Sequence, residues 1–368
     1  MATLKGSSPA RALRPGFWGS SPRCRQTRAF SRSQQCRAPE EVQGAHKYCV
    51  DLLSKYDRPS YTLSSFIPPH ARSFYLALRA LNVSLALIPE TTSSHTIGLM
   101  RLQFWRDAVA KILAGSPPKE PVAILLASAI SDLHERTEGH ARISRSWLTR
   151  LISAREQTLT NDPYSSIADL ESYAENTYST LIIAYWKSSG DRGRLTRTAP
   201  GCISTTDAPK PPWRRCGQPR AQRWRKTRAV MLPLDVMAQA GVKEEDVLRY
   251  GADAEGLRDA VFTVATRASD HLITVEQMLT NLRAGKDVGH DFEHAGEEGH
   301  EYDSYVSRES PLDEVNRAFG VFMPAISTRL WLDRLQQYDF DVFRPELLRS
   351  DWRLPWKSYL AFRRKSFS

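Results

Sequence analysis

No stretch of this 368-residue chain approaches the roughly 20 consecutive apolar residues that a membrane-spanning helix needs. The longest aliphatic runs, "ILLA" and "LIIAYW", are a handful of residues each. An integral helical membrane protein is excluded on that ground, whereas attachment to a membrane surface is not. Cysteine is also sparse. The five thiols are Cys24, Cys36, Cys49, Cys202 and Cys216, with no CxxC pair, so neither a disulfide framework nor a paired-cysteine zinc site is expected. A Gly-rich phosphate loop, a G-x-S-x-G elbow and any run alternating with period two are missing as well, which removes the common nucleotide, hydrolase and β-sandwich readings.

Acidic residues are missing from one place in particular. Residues 1–38 hold eight Lys/Arg and no Asp/Glu, and residues 187–228 hold twelve Lys/Arg against two acids. These two segments account for more than the whole net charge of +10 and leave the rest of the chain at −8. A nucleic-acid-binding protein would carry its positive charge on the folded body, so that class is not expected.

The first basic segment is rich in Arg and Ser and lacks an apolar core of secretory type. It reads as a mitochondrial transit peptide, residues 1–38, with "RAFS" (Arg28 to Ser31) as a processing site. The second, "KSSGDRGRLTRTAPGCISTTDAPKPPWRRCGQPRAQRWRKTR", has only Leu195 and Ile203 among its large aliphatic, Phe and Met types. It cannot bury enough apolar surface to offset the entropy of ordering. Its composition and abrupt edges suggest a wrong reading frame or a mis-chosen splice boundary. Residues 283–314 form a second, acidic intrusion.

The remainder is written in helical periods. "HKYCVDLLSKYD" spaces Tyr48, Leu52, Leu53 and Tyr56 on one face. Pro68 and Pro69 open a helix, and Gly115 closes the helix through "TIGLMRLQFWRDAVAKILAG". Further helices follow in "PVAILLASAISDLHER", "SRSWLTRLISAREQTL", "SIADLESYAENTYSTLIIAYW", "EEDVLRYG", "AEGLRDAVFTVATRASDHLITVEQMLTNLRAG", "NRAFGVFMPAISTRLWLDRLQQYD" and "WKSYLAFRRK". The class is all-α, a single bundle-like domain over residues 46–365.

In their order, "FYLALRALNVSLALI", "TIGLMRLQFWRDAV", "PVAILLASAI", "LISAREQTL", "DLESYAENTYSTL" and "VMLPLDVMAQAGVKEEDVL" resemble the squalene/phytoene synthase family. "RLQFWRDAV", "YAENT" and "DFDVFRPEL" resemble the branch of that family that assists assembly of mitochondrial complex I. The resemblance spans about residues 46–186, 229–282 and 315–365. It implies an isoprenoid-synthase-like helical bundle. It also implies two aspartate-rich motifs that bind Mg²⁺ and through it the diphosphates of prenyl substrates, since a departing diphosphate needs its charge neutralised. At the first motif this chain has Asn82, Val83 and Ala86. Asn82 is a neutral, weak ligand for Mg²⁺, and the other two are none. The second motif should fall in 187–228, where Asp191 and Asp207 stand alone.

The expectation is therefore a non-catalytic assembly factor for complex I with no cofactor and no metal. The resemblance further implies early-stage action and a peripheral position on the matrix face of the mitochondrial inner membrane. Its partners would be complex I subunits or other assembly factors, with a lipid or prenyl ligand held in the old cavity. The alternative is a Mg²⁺-dependent prenyl transferase condensing prenyl diphosphates. Candidate pocket residues are Arg79, Arg101, Gln103 and Arg106, whose guanidinium and amide groups suit phosphate oxygens, together with Tyr173, Asn176 and Thr177. Phe104 and Trp105 are assigned to the core, and Cys49 is read as a small buried residue. "HDFEH" (His290 to His294) matches an H-x-x-E-H metal pattern, but its glycine-rich surroundings favour a loop.

Overall fold

The computed structural model describes residues 39–92, 94–138, 143–160, 162–179, 181, 230, 232–284, 316 and 319–367. The basic segments 1–38 and 187–228 and the "HDFEH" stretch lie outside them, as does nearly all of 283–314.

Short polar side chains and prolines set the helix starts. The first helix, α1 (Pro39–Tyr56), begins seven residues before the expected His46, with Glu40 and Glu41 in a first turn whose dipole favours acids. Asp57 caps α2 (Arg58–Leu63), accepting from the Ser60 N–H at 3.3 Å. The Pro68–Pro69 pair opens α3 (Pro69–Ala86), which is followed by the short α4 (Ile88–Thr91). Ser94 caps α5 (His95–Leu113), and Glu120 caps α6 (Pro121–Arg136), accepting from Ala123 N–H at 2.7 Å. Beyond α5, Gly115 takes a left-handed φ of +78° and its N–H bonds Ile112 O at 3.0 Å, the expected stop. Ser144 caps α7 (Arg145–Gln157), and Ser166 caps α8 (Ile167–Ala174), where its hydroxyl also donates to Asp169.

One departure from the sequence reading comes here. Instead of running on as an α-helix, the "YAENT" segment widens into a π-helical turn, Glu175–Ser179. After residue 230 come α9 (Leu234–Gln239), α10 (Glu244–Tyr250) and the long α11 (Leu257–Arg283). Then follow α12 (Met323–Gln337), α13 (Pro345–Leu348) and α14 (Arg353–Arg364). Among the described residues there is no strand.

The core has two parts. One is built on α3, which packs against α1 and α6 while α5 packs against α7. Its fully buried side chains include Phe74, Leu76, Leu78, Leu81 and Leu85 of α3. Each stabilises the fold by about 1.5–3 kcal/mol relative to exposure. The other part gathers Val236, Val247, Leu257, Val261 and Leu347 from α9, α10, α11 and α13. Helix α12 joins the two: Met323, Ile326 and Leu330 belong to the first part, Trp331 and Leu335 to the second.

Candidate functional site

Between α3 and α12 lies a cavity of about 610 Å³. Arg79, Asn82, Val83 and Ala86 line it from α3, at spacings of three and four residues that put all of them on one face. Ser327, Leu330, Trp331 and Arg334 line it from α12. The α1–α2 corner contributes Lys55, Asp57 and Arg58, the π-helical turn contributes Tyr178, and the Arg349–Pro355 strap closes the remaining side. The lining has five Lys/Arg (Lys55, Arg58, Arg79, Arg334, Arg349) against two carboxylates (Asp57, Asp351), so the cavity is electropositive.

Four of the charged groups on the wall, Asp57, Arg79, Arg334 and Asp351, are held by specific partners. Arg79, with an 11% exposed side chain, donates from Nε to Ser60 Oγ at 2.7 Å and lies 3.5 Å from Asp57 Oδ2. Its guanidinium sits 5.9 Å from the Tyr178 ring centroid. Arg334 donates from Nη1 to Arg349 O at 3.0 Å and from Nη2 to Glu346 O, which ties the strap to α12. Burial alone would raise the Asp351 carboxyl, but side-chain and backbone hydrogen bonds from Arg353 hold it below its usual value.

Behind the α3 wall is a buried polar chain that sequence reasoning missed. Arg155 of α7 is 4% exposed. Its Nη2 donates to Asn82 Oδ1 at 2.7 Å, and its Nη1 donates to the Tyr173 hydroxyl. The signal was in the sequence: Arg155 continues the apolar stripe of Trp147, Leu148, Leu151 and Ile152, where a leucine would be ordinary.

The other expected pocket residues are dispersed. Tyr173 and Thr177 are buried around this chain, with Thr177 Oγ1 donating to Tyr173 O at 2.7 Å. Asn176 donates to Ser172 O at 2.8 Å. On α5, Arg101 donates to Thr91 Oγ1 at 2.9 Å and Gln103 to Asp107 Oδ1 at 3.0 Å, both at the surface. Arg106 donates to Ser153 Oγ at 3.2 Å and pairs with Glu156, clamping α5 to α7. None of these three is among the residues lining the cavity. Trp105 is buried as expected, but Phe104 is 44% exposed and packs edge-on against Trp105, because the buried face of α5 runs through Leu102, Trp105, Val109 and Ile112. Cys49 is buried in α1, and burial, with Glu120 nearby, pushes its thiol up to about 12.

The described residues do not fit a Mg²⁺ pair. Among Asn82, Val83 and Ala86, expected to stand at the first motif, the one side-chain oxygen donor, Asn82 Oδ1, already faces a guanidinium, and a second cation there would be repelled. Both carboxylates on the wall are engaged by arginines. Among the described residues no group of three or more His, Cys, Asp or Glu side chains is placed to hold a metal.

The sequence matches the model of the squalene/phytoene synthase family over residues 53–200 and 213–359. The chain belongs to that family. Within the family it is similar to the Bos taurus protein named NADH dehydrogenase (ubiquinone) complex I, assembly factor 6. The two are 31% identical over 352 residues, 96% of this chain and 92% of that one. The Homo sapiens protein of the same name is 30% identical over 364 residues, covering 99% and 88%. A Drosophila melanogaster homolog of it is 26% identical over 343 residues, covering 91% and 90%. The squalene/phytoene synthase fold is also evident from solved structures. A dehydrosqualene synthase superposes with a TM-score of 0.60 at 13% identity, covering 88% of this chain and 99% of that chain. A squalene synthase from Alicyclobacillus acidocaldarius gives 0.56 at 14%, covering 83% and 97%.

Proposed function

We propose that this chain is a non-catalytic assembly factor for respiratory complex I. The observation that carries the proposal is nearly full-length similarity to family members bearing that name. The chemistry of the α3 wall supports it. A prenyl-diphosphate transferase needs clustered carboxylates to bind Mg²⁺ and neutralise its leaving group. Here the first-motif face presents an amide bound to Arg155, a valine and an alanine.

The chain acts in mitochondria at an early stage of assembly, on the matrix side of the inner membrane, in contact with complex I subunits or other assembly factors. It attaches peripherally; no helix of the described residues is long and apolar enough to cross a membrane. The cavity retained from the synthase architecture holds a lipid, a prenyl chain or an apolar segment of a partner.

The test is rescue. Cells lacking their own assembly factor 6 are given this chain, and assembled complex I is measured on a native gel. Restored complex is the expected result. Stable, imported protein without restored complex overturns the proposal, provided a version with residues 187–228 replaced by the counterpart from a relative also fails. Mg²⁺-dependent release of pyrophosphate from a prenyl diphosphate by the purified chain would overturn the non-catalytic part.

A further inference from the structure

The cavity does not account for the outer face of α14. Leu354, Ser358 and Ala361 of this helix are buried against the bundle. Trp352, Trp356, Tyr359 and Arg363 recur at intervals of four, three and four residues and so share the opposite face. Trp352 is 83% exposed, Trp356 61% and Tyr359 45%, and the Trp356 and Tyr359 rings stack at 6.0 Å. Two indoles and a phenol in a row in water forgo a large apolar burial, which isolated surface hydrophobics do not.

Charge surrounds this stripe. Residues 349–365 contain six Lys/Arg and one acid, Asp351, which Arg353 holds through both carboxylate oxygens. Lys357, Arg363 and Arg364 are exposed beside the rings. This positive strip belongs to a chain that carries −8 outside its two basic segments. Trp and Tyr rings framed by Lys and Arg make up the composition of a helix lying in a bilayer interface, where the rings enter the headgroup boundary and the cations meet lipid phosphates. A second copy of this chain is a poorer occupant: a two-fold pairing of the stripe would set Lys357, Arg363 and Arg364 against their own copies, and among the described residues the acids beside them, Asp333 and Glu276, are outnumbered.

The stripe also adjoins the cavity. Trp352 and Pro355 are exposed and line it, and across the mouth Lys55 and Arg58 do the same. We propose that the Trp352–Arg363 face of α14 docks on an anionic phospholipid bilayer and sets the mouth of the cavity against the headgroups. This deepens the peripheral attachment proposed above and rests on it.

The full-length protein is sedimented with vesicles of phosphatidylcholine alone or with phosphatidylglycerol added. Binding to the anionic vesicles that weakens as salt rises is expected, with little binding to phosphatidylcholine alone. The double variant Trp356→Ser/Tyr359→Ser, which alters exposed residues outside the cavity, should bind about tenfold more weakly. Its melting temperature should match that of the parent. Lys357→Glu/Arg363→Glu should weaken the salt-dependent part severalfold, the remainder of it coming from the basic segments 1–38 and 187–228. If the parent chain stays in the supernatant with anionic vesicles, both this face and peripheral attachment fail. If the parent binds and both double variants bind equally well, the face alone fails. If the parent is a dimer without lipid and Trp356→Ser/Tyr359→Ser makes it a monomer, a second copy covers the face and the proposal is overturned. Complex I rescue is read separately, so the assembly role stands or falls independently.

Discussion

At the scale of residues, the centre of the molecule is Asn82. An aspartate in its place would face the Arg155 guanidinium, now 2.7 Å from the amide oxygen. The pair would neutralise itself rather than recruit a metal. Asn82→Asp is therefore expected to fold and to show no heat of Mg²⁺ binding in titration calorimetry. Arg155→Met, in contrast, strips charged donors from both Asn82 and Tyr173 in a buried setting. A loss of about 3 kcal/mol in denaturant unfolding is expected. Cys49 offers a different check. Its thiol is pushed up to about 12 by burial, so iodoacetamide at mildly alkaline pH should leave the Cys49 peptide unmodified in the native chain and label it in guanidinium. That Asn82, Val83 and Ala86 share one helical face was legible in the sequence, because their spacing shows it without coordinates; that they stand at motif positions is what the family resemblance implies. The partner of Asn82 was not legible. It lies 73 positions away, and periodicity says which face a residue takes but not which residue meets it across the packing.

At the scale of elements, helix starts and stops were largely readable, since caps, prolines and Gly115 act locally. The π-helical turn at Glu175–Ser179 was not readable, because a wider turn keeps the same residue types. Close approaches between elements were hidden too. At Gly256, φ is +75°, and an added Cβ would lie 2.1 Å from Ala240 O. At Gly251, φ is +63°, but the nearest atom to such a Cβ is 4.0 Å away, on Phe343. Gly251→Ala should cost about 1 kcal/mol from backbone strain alone, whereas Gly256→Ala should cost at least about 3, both read from denaturant midpoints. Glu171 joins α8 to α11 through Arg267 Nε at 2.6 Å and His271 Nε2 at 2.9 Å. Burial alone would raise its carboxyl, but these hydrogen bonds hold it below its usual value. A carboxyl lowered in the folded state contributes stability above its unfolded value and loses it as pH falls through the folded one. Glu171→Gln should thus lower stability by about 1 kcal/mol at neutral pH. The two melting curves should converge in acid, below the carboxylate range.

At the scale of the whole molecule, the decisive element is α12. It places apolar side chains in both parts of the core, so neither part can release its half of that helix alone. Differential scanning calorimetry should accordingly give one transition, with calorimetric and van 't Hoff enthalpies in agreement, and two resolved peaks would contradict that coupling. The all-α class was legible because 3.6-residue periods recur throughout. The cavity was not, because its walls come from residues 54–87, Tyr178 and residues 327–355, and only folding brings those together.

That separation also sets an order in time. The α1–α3 wall comes first in the chain, and α3 can pack on α1 and α6 as soon as Arg136 has followed it into the folding compartment. The opposite wall waits for some 190 further residues, including the long basic segment. Until the Arg349–Pro355 strap arrives to be held by Arg334, the α3 wall of the cavity stands open, and the half-made chamber presents its apolar residues, Val83 and Ala86, to whatever is nearby. A chaperone that shields α3 during this interval is expected to raise the yield of folded protein.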